Sequence, residues 1–457
     1  MPAPYEQITC PFCFKKFNHK DVHFRVSEDS MIKSGVSDIY SQFRDELEDK
    51  KGDVSNANGY SKVRDEQYTN FWKGLNPNIP LTMNPVITKD GKDVYGEEVY
   101  DKYKNASTFE TGGMFESVID KYRNETEDRL CPYCHNSLPK TYGQYETKFI
   151  SVIGIEGCGK TVFLSQLLKK FKILLADACS SRVILYNYAE EFQTTHFKIK
   201  QGNPLPASTT AEYLNKDLIL IDLVGGILQN PITLVLYDIA GRNCVNENNM
   251  KRFGPFIRNA DAFIMLLDPY QFITLRQYLP DPQKNNDNDT KGSKNKEDYK
   301  PDYVIDKMFM SFLKTDLDKE HKKRSSKPIA LTFAQSDLLL KIKNDKFSLS
   351  SNIFKPITYE TKGFQKNQHF QLEKELESKM FINKNDINVF ASTKQSFESV
   401  ACFAVSSLGI DTKIENEILL SRDDMPHRIE EPLLWILYKL GHIREASDIN
   451  NKKNGRK

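Results

Sequence analysis

Residues 154–161 read Gly154-Ile-Glu-Gly-Cys-Gly-Lys-Thr161. This run satisfies G-x-x-x-x-G-K-[ST] at every fixed position. Its flanks fit as well. Lys148-Phe-Ile-Ser-Val-Ile153 is a short apolar run of the kind that forms a buried strand, and Val162-Phe-Leu-Ser-Gln-Leu-Leu-Lys-Lys170 carries helical spacing. Strand, glycine loop and helix together make a phosphate cradle, in which backbone N–H groups and the positive end of the helix face an anion. The expected nucleotide contacts are Gly154, Glu156, Gly157, Cys158, Gly159, Lys160, Thr161 and Val162. Lys160 is expected to reach the β- and γ-phosphate oxygens, and the Thr161 hydroxyl to ligate Mg²⁺. Cys158 is read as a small residue of the loop without a redox role.

Working outward, residues from Thr147 to about 442 alternate apolar strand runs with helical segments, the pattern of a mostly parallel α/β sheet flanked by helices. Ser181–Tyr186 reads as a strand or a helix start. Asp217–Val224 and Pro231–Asp238 are two apolar runs joined through Gly225-Gly226, which predicts an antiparallel hairpin feeding the sheet. Asp261–Asp268, Pro328–Phe333 and Ala401–Val405 are further buried strands. Gln371–Met380 is a helix inside an added segment, about 342–388, and Glu431–Leu440 is the closing helix with Pro432 in its first turn and Gly441 behind it. Residues 281–300 are low-complexity and read as a disordered loop. Lys319–Lys327 reads as a solvated basic helix end, and 443–457 as a flexible tail.

A nucleotide switch needs a carboxylate at the end of a neighbouring strand to hold hydrated Mg²⁺. Asp238 ends the run Leu234-Val-Leu-Tyr237 and opens Asp238-Ile-Ala-Gly241, a D-x-x-G match whose Gly241 N–H can contact a γ-phosphate. Between loop and acid lies Gly202-Asn-Pro-Leu-Pro-Ala-Ser-Thr-Thr210. Thr209, ahead of Thr210, is the candidate to complete the metal shell and sense the γ-phosphate.

Ahead of this region the chain carries Cys10-Pro-Phe-Cys13 and Cys131-Pro-Tyr-Cys134. Each turn aims two thiolates at one tetrahedral metal. About 117 residues separate the two pairs, where an ordinary ribbon has about 15–20. Either a segment is inserted into one zinc ribbon or the pairs serve separate sites. Two near-identical knuckles, each incomplete alone, favour one shared structural zinc over free thiols or a redox pair. His19 and His135 are substitute ligands in principle, although an exposed side chain is the plainer reading of each. The ribbon halves span 1–23 and 129–146. The insert, 24–128, is polar and Tyr-rich, with helices expected over Ser37–Lys50 and Thr111–Tyr122, and reads as α-rich.

The chain has 457 residues, enough for two or three domains, and its 64 basic and 62 acidic residues leave a net charge of only +2. No global field points to nucleic acid or membrane. No apolar run approaches the roughly 20 residues of a membrane helix. Eight cysteines, four of them in C-x-x-C pairs, and a start without secretory character suit a reducing, cytoplasmic setting.

Taken together, the loop, the threonine segment, D-x-x-G, Ala334-Gln-Ser-Asp337 and Val405-Ser-Ser-Leu-Gly409 follow the order of the motifs of translation-factor-like (TRAFAC-type) GTPases. With the paired-cysteine ribbon and the ending Glu431-Pro-Leu-Leu-Trp-Ile-Leu437, the chain resembles the bacterial "double-GTPase" proteins of predicted conflict or defence operons. The resemblance covers roughly residues 8–20 and 129–442. It implies a small-GTPase-like fold, GTP/GDP with Mg²⁺ and Zn²⁺ as cofactors, Asp337 reading guanine, and Ser406 and Ser407 lining the base. It also implies a protein partner, with nucleic acid a further candidate for the ribbon. Departures matter. Ala334 stands where the pattern has Asn, Gln335 lacks the lysine stem that packs on the loop, and Arg242 replaces the glutamine that orients the attacking water. Arg242 is therefore a candidate for stabilising γ-phosphate charge, and slow hydrolysis is expected. An ATPase of the same loop class and a non-hydrolysing, nucleotide-stabilised scaffold stay open as alternatives.

Overall fold

The computed structural model describes residues 7–26, 64–76, 84–88, 108–111, 114–119, 125–154, 158–186, 218–240, 247–279, 301–350, 357–380, 389–409, 414–415, 417–418 and 426–448. The chain divides into two compact units, 1–147 and 148–457.

The second unit is built on a seven-stranded sheet. Its strands are β1 (Glu146–Gly154), β2 (Arg182–Tyr186), β3 (Ile219–Val224), β4 (Ile232–Ala240), β5 (Ala262–Leu267), β6 (Ile329–Phe333) and β7 (Val400–Ala404). They lie in the order β2-β3-β4-β1-β5-β6-β7. β1, β5, β6 and β7 run parallel, with Gly154 opposite Leu266, Leu267 opposite Phe333 and Phe333 opposite Ala404. From Phe149 onward in β1, throughout β5 and β6, and from Ala401 in β7 these runs are buried and mostly apolar, as a sheet covered on both sides requires. β2, β3 and β4 form an antiparallel meander. The expected hairpin at Gly225-Gly226 is present, with both glycines at positive φ. Gly226 is enforced by space as well, because a Cβ there would meet the Cys179 carbonyl oxygen at 2.1 Å.

Helix α1 (Lys160–Cys179) follows β1 and buries Phe163, Leu164, Leu167, Leu168, Phe171 and Leu175, the i, i+3/i+4 stripe of a helix laid on a sheet. Helix α2 (Glu247–Arg258) precedes β5, and α3 (Lys366–Met380) begins five residues earlier than its periodicity suggests. Helix α4 (Glu431–Lys439) closes the unit, with Pro432 in its first turn and Gly441 at φ 81° behind it. The expected flexible tail is corrected over its first part. Ile443 and Ala446 are buried, and Arg444 and Ala446 exchange backbone hydrogen bonds with Phe364. Two apolar side chains in a polar stretch suffice to seat it. Residues 449–457, the loop 281–300 and the helix expected over Ser37–Lys50 lie outside the described residues.

In the first unit, Gln7–Thr9 pairs with Lys16–Asn18 around the first knuckle. Arg129–Leu130 pairs with Ser137–Leu138 around the second, within a four-stranded sheet that also takes in His23–Arg25 and Val86–Ile87. The helix expected over Thr111–Tyr122 is instead a strand, Met114–Ile119, between Thr108–Thr111 and Glu125–Thr126. Gly112-Gly113 in the sequence joins the first two strands, and that hairpin signal outweighs the helical spacing. Among the described residues of 24–128 there is one helix, Glu66–Leu75, so the α-rich expectation fails there.

Candidate functional site

At the carboxyl edge of the parallel strands, β1 ends at Gly154. Only glycine fits, since a Cβ there would lie 2.5 Å from Cys158 Sγ and 3.3 Å from Leu266 Cβ. Cys158 is buried, and burial pushes its thiol up to about 12, so it stays protonated and unreactive. Gly159 caps α1 in the left-handed region at φ 79°, a conformation that glycine adopts without strain. Lys160 therefore opens the helix, and its Nζ forms an ion pair with Asp238 Oδ1. Both side chains are largely withdrawn from solvent. Asp238 is not the last residue of its strand, because β4 continues to Ala240. Thr161 and Val162 lie in the first turn of α1, half-buried.

Two strands away, Ala334-Gln-Ser-Asp337 follows β6 and Val405–Gly409 follows β7. The two segments are knitted by Val405 N–H to Phe333 O at 2.8 Å and Ser336 N–H to Val405 O at 3.0 Å. The Ser406 hydroxyl donates to Asp337 Oδ1 at 3.0 Å and accepts from Gly409 N–H at 3.1 Å. Burial raises the Asp337 carboxyl above its ordinary value, and the Ser406 hydrogen bond opposes this. Ser406 also exchanges two backbone hydrogen bonds with His427, at 3.1 and 2.8 Å. Among the described residues, the buried Ser407 hydroxyl has no hydrogen-bond partner.

Gln335 lacks the lysine stem of the motif pattern, yet its side chain approaches the loop. Its Nε2 lies 3.4 Å from where a Cβ on Gly159 would stand, so the amide covers the position assigned to a lysine stem. Lys160 thus meets Asp238, Gly159 meets Gln335, and Asp337 meets Ser406 along one edge of the sheet. Glu156, Gly157, Thr209, Gly241 and Arg242 lie outside the described residues. Sequence reasoning missed the support behind this edge. Arg428 and Glu431 form a buried two-pronged ion pair, and His369 contacts Glu431 at 3.2 Å. The carboxylate of a helix opening with Glu-Pro was the only sequence hint.

The second site is the cysteine cluster. Sγ atoms of Cys10, Cys13, Cys131 and Cys134 all lie within 4.8 Å of one another, with Cys10 to Cys134 at 3.6 Å and Cys13 to Cys131 at 3.7 Å. Zinc–thiolate bonds of about 2.3 Å in a tetrahedron set sulfurs about 3.8 Å apart, so the set fits zinc. The two knuckles share one local geometry. Cys10 N–H bonds Lys15 O and Phe14 N–H bonds Cys10 O, while Cys131 N–H bonds Asn136 O and His135 N–H bonds Cys131 O, all at 3.0 Å. Phe14 and His135, each following the second cysteine, adopt φ 57° and 51°. Burial pushes the Cys10 and Cys134 thiols up, whereas hydrogen bonds from the neighbouring cysteines pull Cys13 down. A divalent cation would offset the expense of gathering four thiolates. The histidines are not exposed, contrary to expectation. His135 is buried with Nδ1 2.9 Å from Asp65 Oδ1, and His19 is buried too.

Among the described residues, no helix is long and apolar enough to cross a membrane. No protein-family model matches the chain. Over 161 residues it is 23% identical to the Putative ESX-1 scaffolding and assembly protein SaeC of Mycolicibacterium smegmatis, covering 33% of this chain and 41% of that protein. Among solved structures, the Saccharomyces cerevisiae Ski7 GTPase-like domain bound to GTP is 13% identical, covering 66% of this chain and 51% of that one, with a TM-score of 0.27. The same domain with GDP and inorganic phosphate gives a TM-score of 0.29 at the same identity and coverage. A complex of SsGBP with GDP is 13% identical at a TM-score of 0.23, covering 67% of this chain and 51% of that one. The chain thus spans less than half of the curated relative and about half of these structures. TM-scores this low define neither a shared fold nor a shared activity.

Proposed function

We propose that residues 148–457 form a GTP-binding switch that takes up GTP·Mg²⁺, hydrolyses it slowly and thereby regulates a protein partner. The observation that carries this reading is the meeting of Lys160 with Asp238 on the sheet edge that also holds the Ser406–Asp337 pair. In open α/β sheets, ligands bind outside the carboxyl ends of the strands. Lys160 and a cation held by Thr161 and Asp238 would neutralise the phosphates. Thr209 and Gly241 would report the γ-phosphate, Arg242 would stabilise its charge, and Asp337 would accept from guanine N1 and N2. Ser407 would bring its buried hydroxyl to the base. The four cysteines would hold a structural zinc. A role in a bacterial defence or conflict system rests on the resemblance of the motifs alone.

Titration of purified protein with fluorescent GTP, with and without Lys160→Ala, tests the assignment. Loss of affinity by tenfold or more is expected, and equal affinity in both would overturn it. Competition by ATP, repeated with Asp337→Ala, separates a guanine-selective site from an ATPase. A second reading is a scaffold stabilised by nucleotide, which the name of the Mycolicibacterium relative favours. Retained nucleotide affinity without detectable phosphate release would select it.

A further inference from the structure

The helix Glu66–Leu75 lies between the two knuckles in sequence, and nothing in its composition suggests a part in the metal site. Its packing does. Asp65 caps the helix by accepting from Tyr68 N–H at 3.0 Å, and the same carboxylate receives His135 Nδ1 at 2.9 Å and Arg25 Nη2 at 2.9 Å. Two turns on, Trp72 Nε1 donates to Asn136 Oδ1 at 2.7 Å. Asn136 in turn points its amide Nδ2 at Cys134 Sγ, 3.3 Å away. Asp65, Tyr68, Trp72 and Leu75 share one buried face of the helix. Trp72, Asn136 and Cys134 are each at least 97% buried, so water cannot replace either hydrogen bond.

We propose that Trp72 is a positioning residue of the metal centre, acting through Asn136. Cys10 Sγ and Cys131 Sγ each face a backbone N–H two residues along their own knuckle, from Phe12 at 3.3 Å and Tyr133 at 3.4 Å. Cys134 Sγ has a side-chain donor instead, the Asn136 amide, and Trp72 fixes which way that amide faces by taking its oxygen. An N–H donated to a metal thiolate spreads its charge and orients its lone pairs, so outer partners of this kind tune metal affinity by about 10–100-fold. The helix is joined to the second knuckle at His135 and at Asn136, the two residues directly after Cys134. Seating the helix and closing the metal cage are therefore one event. This explains how a ribbon interrupted by a long insert closes on one metal: the insert supplies part of the cage's support.

The inference rests on the four-cysteine site binding zinc, and the experiment separates the two. The wild-type 457-residue chain is expected to retain one zinc per chain, released to a chromophoric chelator under denaturant. A wild-type chain that holds neither zinc nor cobalt sinks the metal reading itself. Given metal, Trp72→Phe keeps the ring and removes the donor, and Asn136→Leu keeps the volume and removes the amide. Each is expected to weaken zinc affinity at least tenfold in chelator competition and to shift the thiolate-to-metal charge-transfer band of the cobalt form. Because Trp72 acts through Asn136, the double variant should bind zinc as Asn136→Leu does. Unchanged affinity and cobalt spectrum in either single variant, or losses that simply add, would overturn the proposal. Should Asn136→Leu fail to fold, Trp72→Phe decides it alone: zinc affinity and cobalt spectrum equal to wild type would overturn the proposal.

Discussion

Glu431 is the most heavily committed carboxylate behind the candidate nucleotide edge, and Glu431→Gln is the sharpest perturbation of it. Its side chain is 1% exposed and that of Arg428 is 5% exposed. The guanidinium grips both carboxylate oxygens, Nε to Oε2 at 2.7 Å and Nη2 to Oε1 at 2.6 Å. Burial alone would raise the Glu431 carboxyl, but Arg428 foremost, then His369, holds it at about 2 against an ordinary 4.5. A depression of that size is worth ~3 kcal/mol of folding free energy. Removing one partner of a buried pair independently predicts about 3–5 kcal/mol. Glutamine keeps the volume and one acceptor, so the lower figure is the one to expect. Trp435, one turn further along α4 and edge-on to Phe403 at 5.8 Å, reports unfolding of this unit once Trp72 is replaced by Phe in both proteins. With a urea slope of about 3 kcal/mol/M, the midpoint should fall by ~1 M at pH 7. The sign with pH follows from the lowered folded value. The Glu431 contribution is complete above about pH 4.5 and is lost as pH falls toward 2, so wild type and variant should converge in acid. A midpoint shift below ~0.3 M at pH 7, or a gap that persists in acid, would refute this account of the pair.

Gly154→Ala places a Cβ against Cys158 Sγ and Leu266 Cβ. Because a core at native density does not yield without displacement, the loop must move, and GTP affinity should drop at least tenfold with circular dichroism unchanged. Asp268 shows the opposite pH behaviour to Glu431. Burial raises its carboxyl to about 6 from 3.8, so ionisation weakens the fold above about pH 6 and the penalty fades as pH falls toward 4. Asp268→Asn, which can still accept the Tyr270 N–H, should therefore be more stable than wild type at pH 8 by up to ~3 kcal/mol. The two should match near pH 4 in urea melts.

What could be read from the sequence were features whose cause is local. The parallel strands announce themselves because burial on both faces demands unbroken apolar runs, as in Ala262–Leu267 and Ile329–Phe333. The Lys160 loop and the two knuckles are legible because a phosphate cradle and a thiolate turn each need particular residues at fixed spacing. Where tertiary contacts decide, the reading fails. Met114–Ile119 has helical spacing, yet its pairing with Thr108–Thr111 makes it a strand. Ile443 and Ala446 sit in a polar tail and are buried by contacts that no local pattern encodes. Nothing near Trp72 in the sequence points to Asn136, 64 residues away.

The departures at Ala334 and Gln335 look different once the geometry is in view. A lysine at the second position would place a cation over the phosphate loop and pack its stem on the backbone there. Gln335 keeps the packing, with its amide against Gly159, and omits the charge. Its backbone meanwhile forms a bridge with Ser406, and Ser406 bridges onward to His427. One residue therefore touches both Gly159 and Ser406, which on the proposed reading are the phosphate side and the base side. Arg428, at φ 54° and ion-paired with Glu431, follows His427 at the far end of that chain. If the site is the proposed nucleotide switch, this contact would keep its mechanical link while one positive charge is lost, so the departure should weaken phosphate affinity more than communication between the two halves of the site. That is the combination suited to a switch in which coupling, and not tight retention or rapid turnover, sets the response.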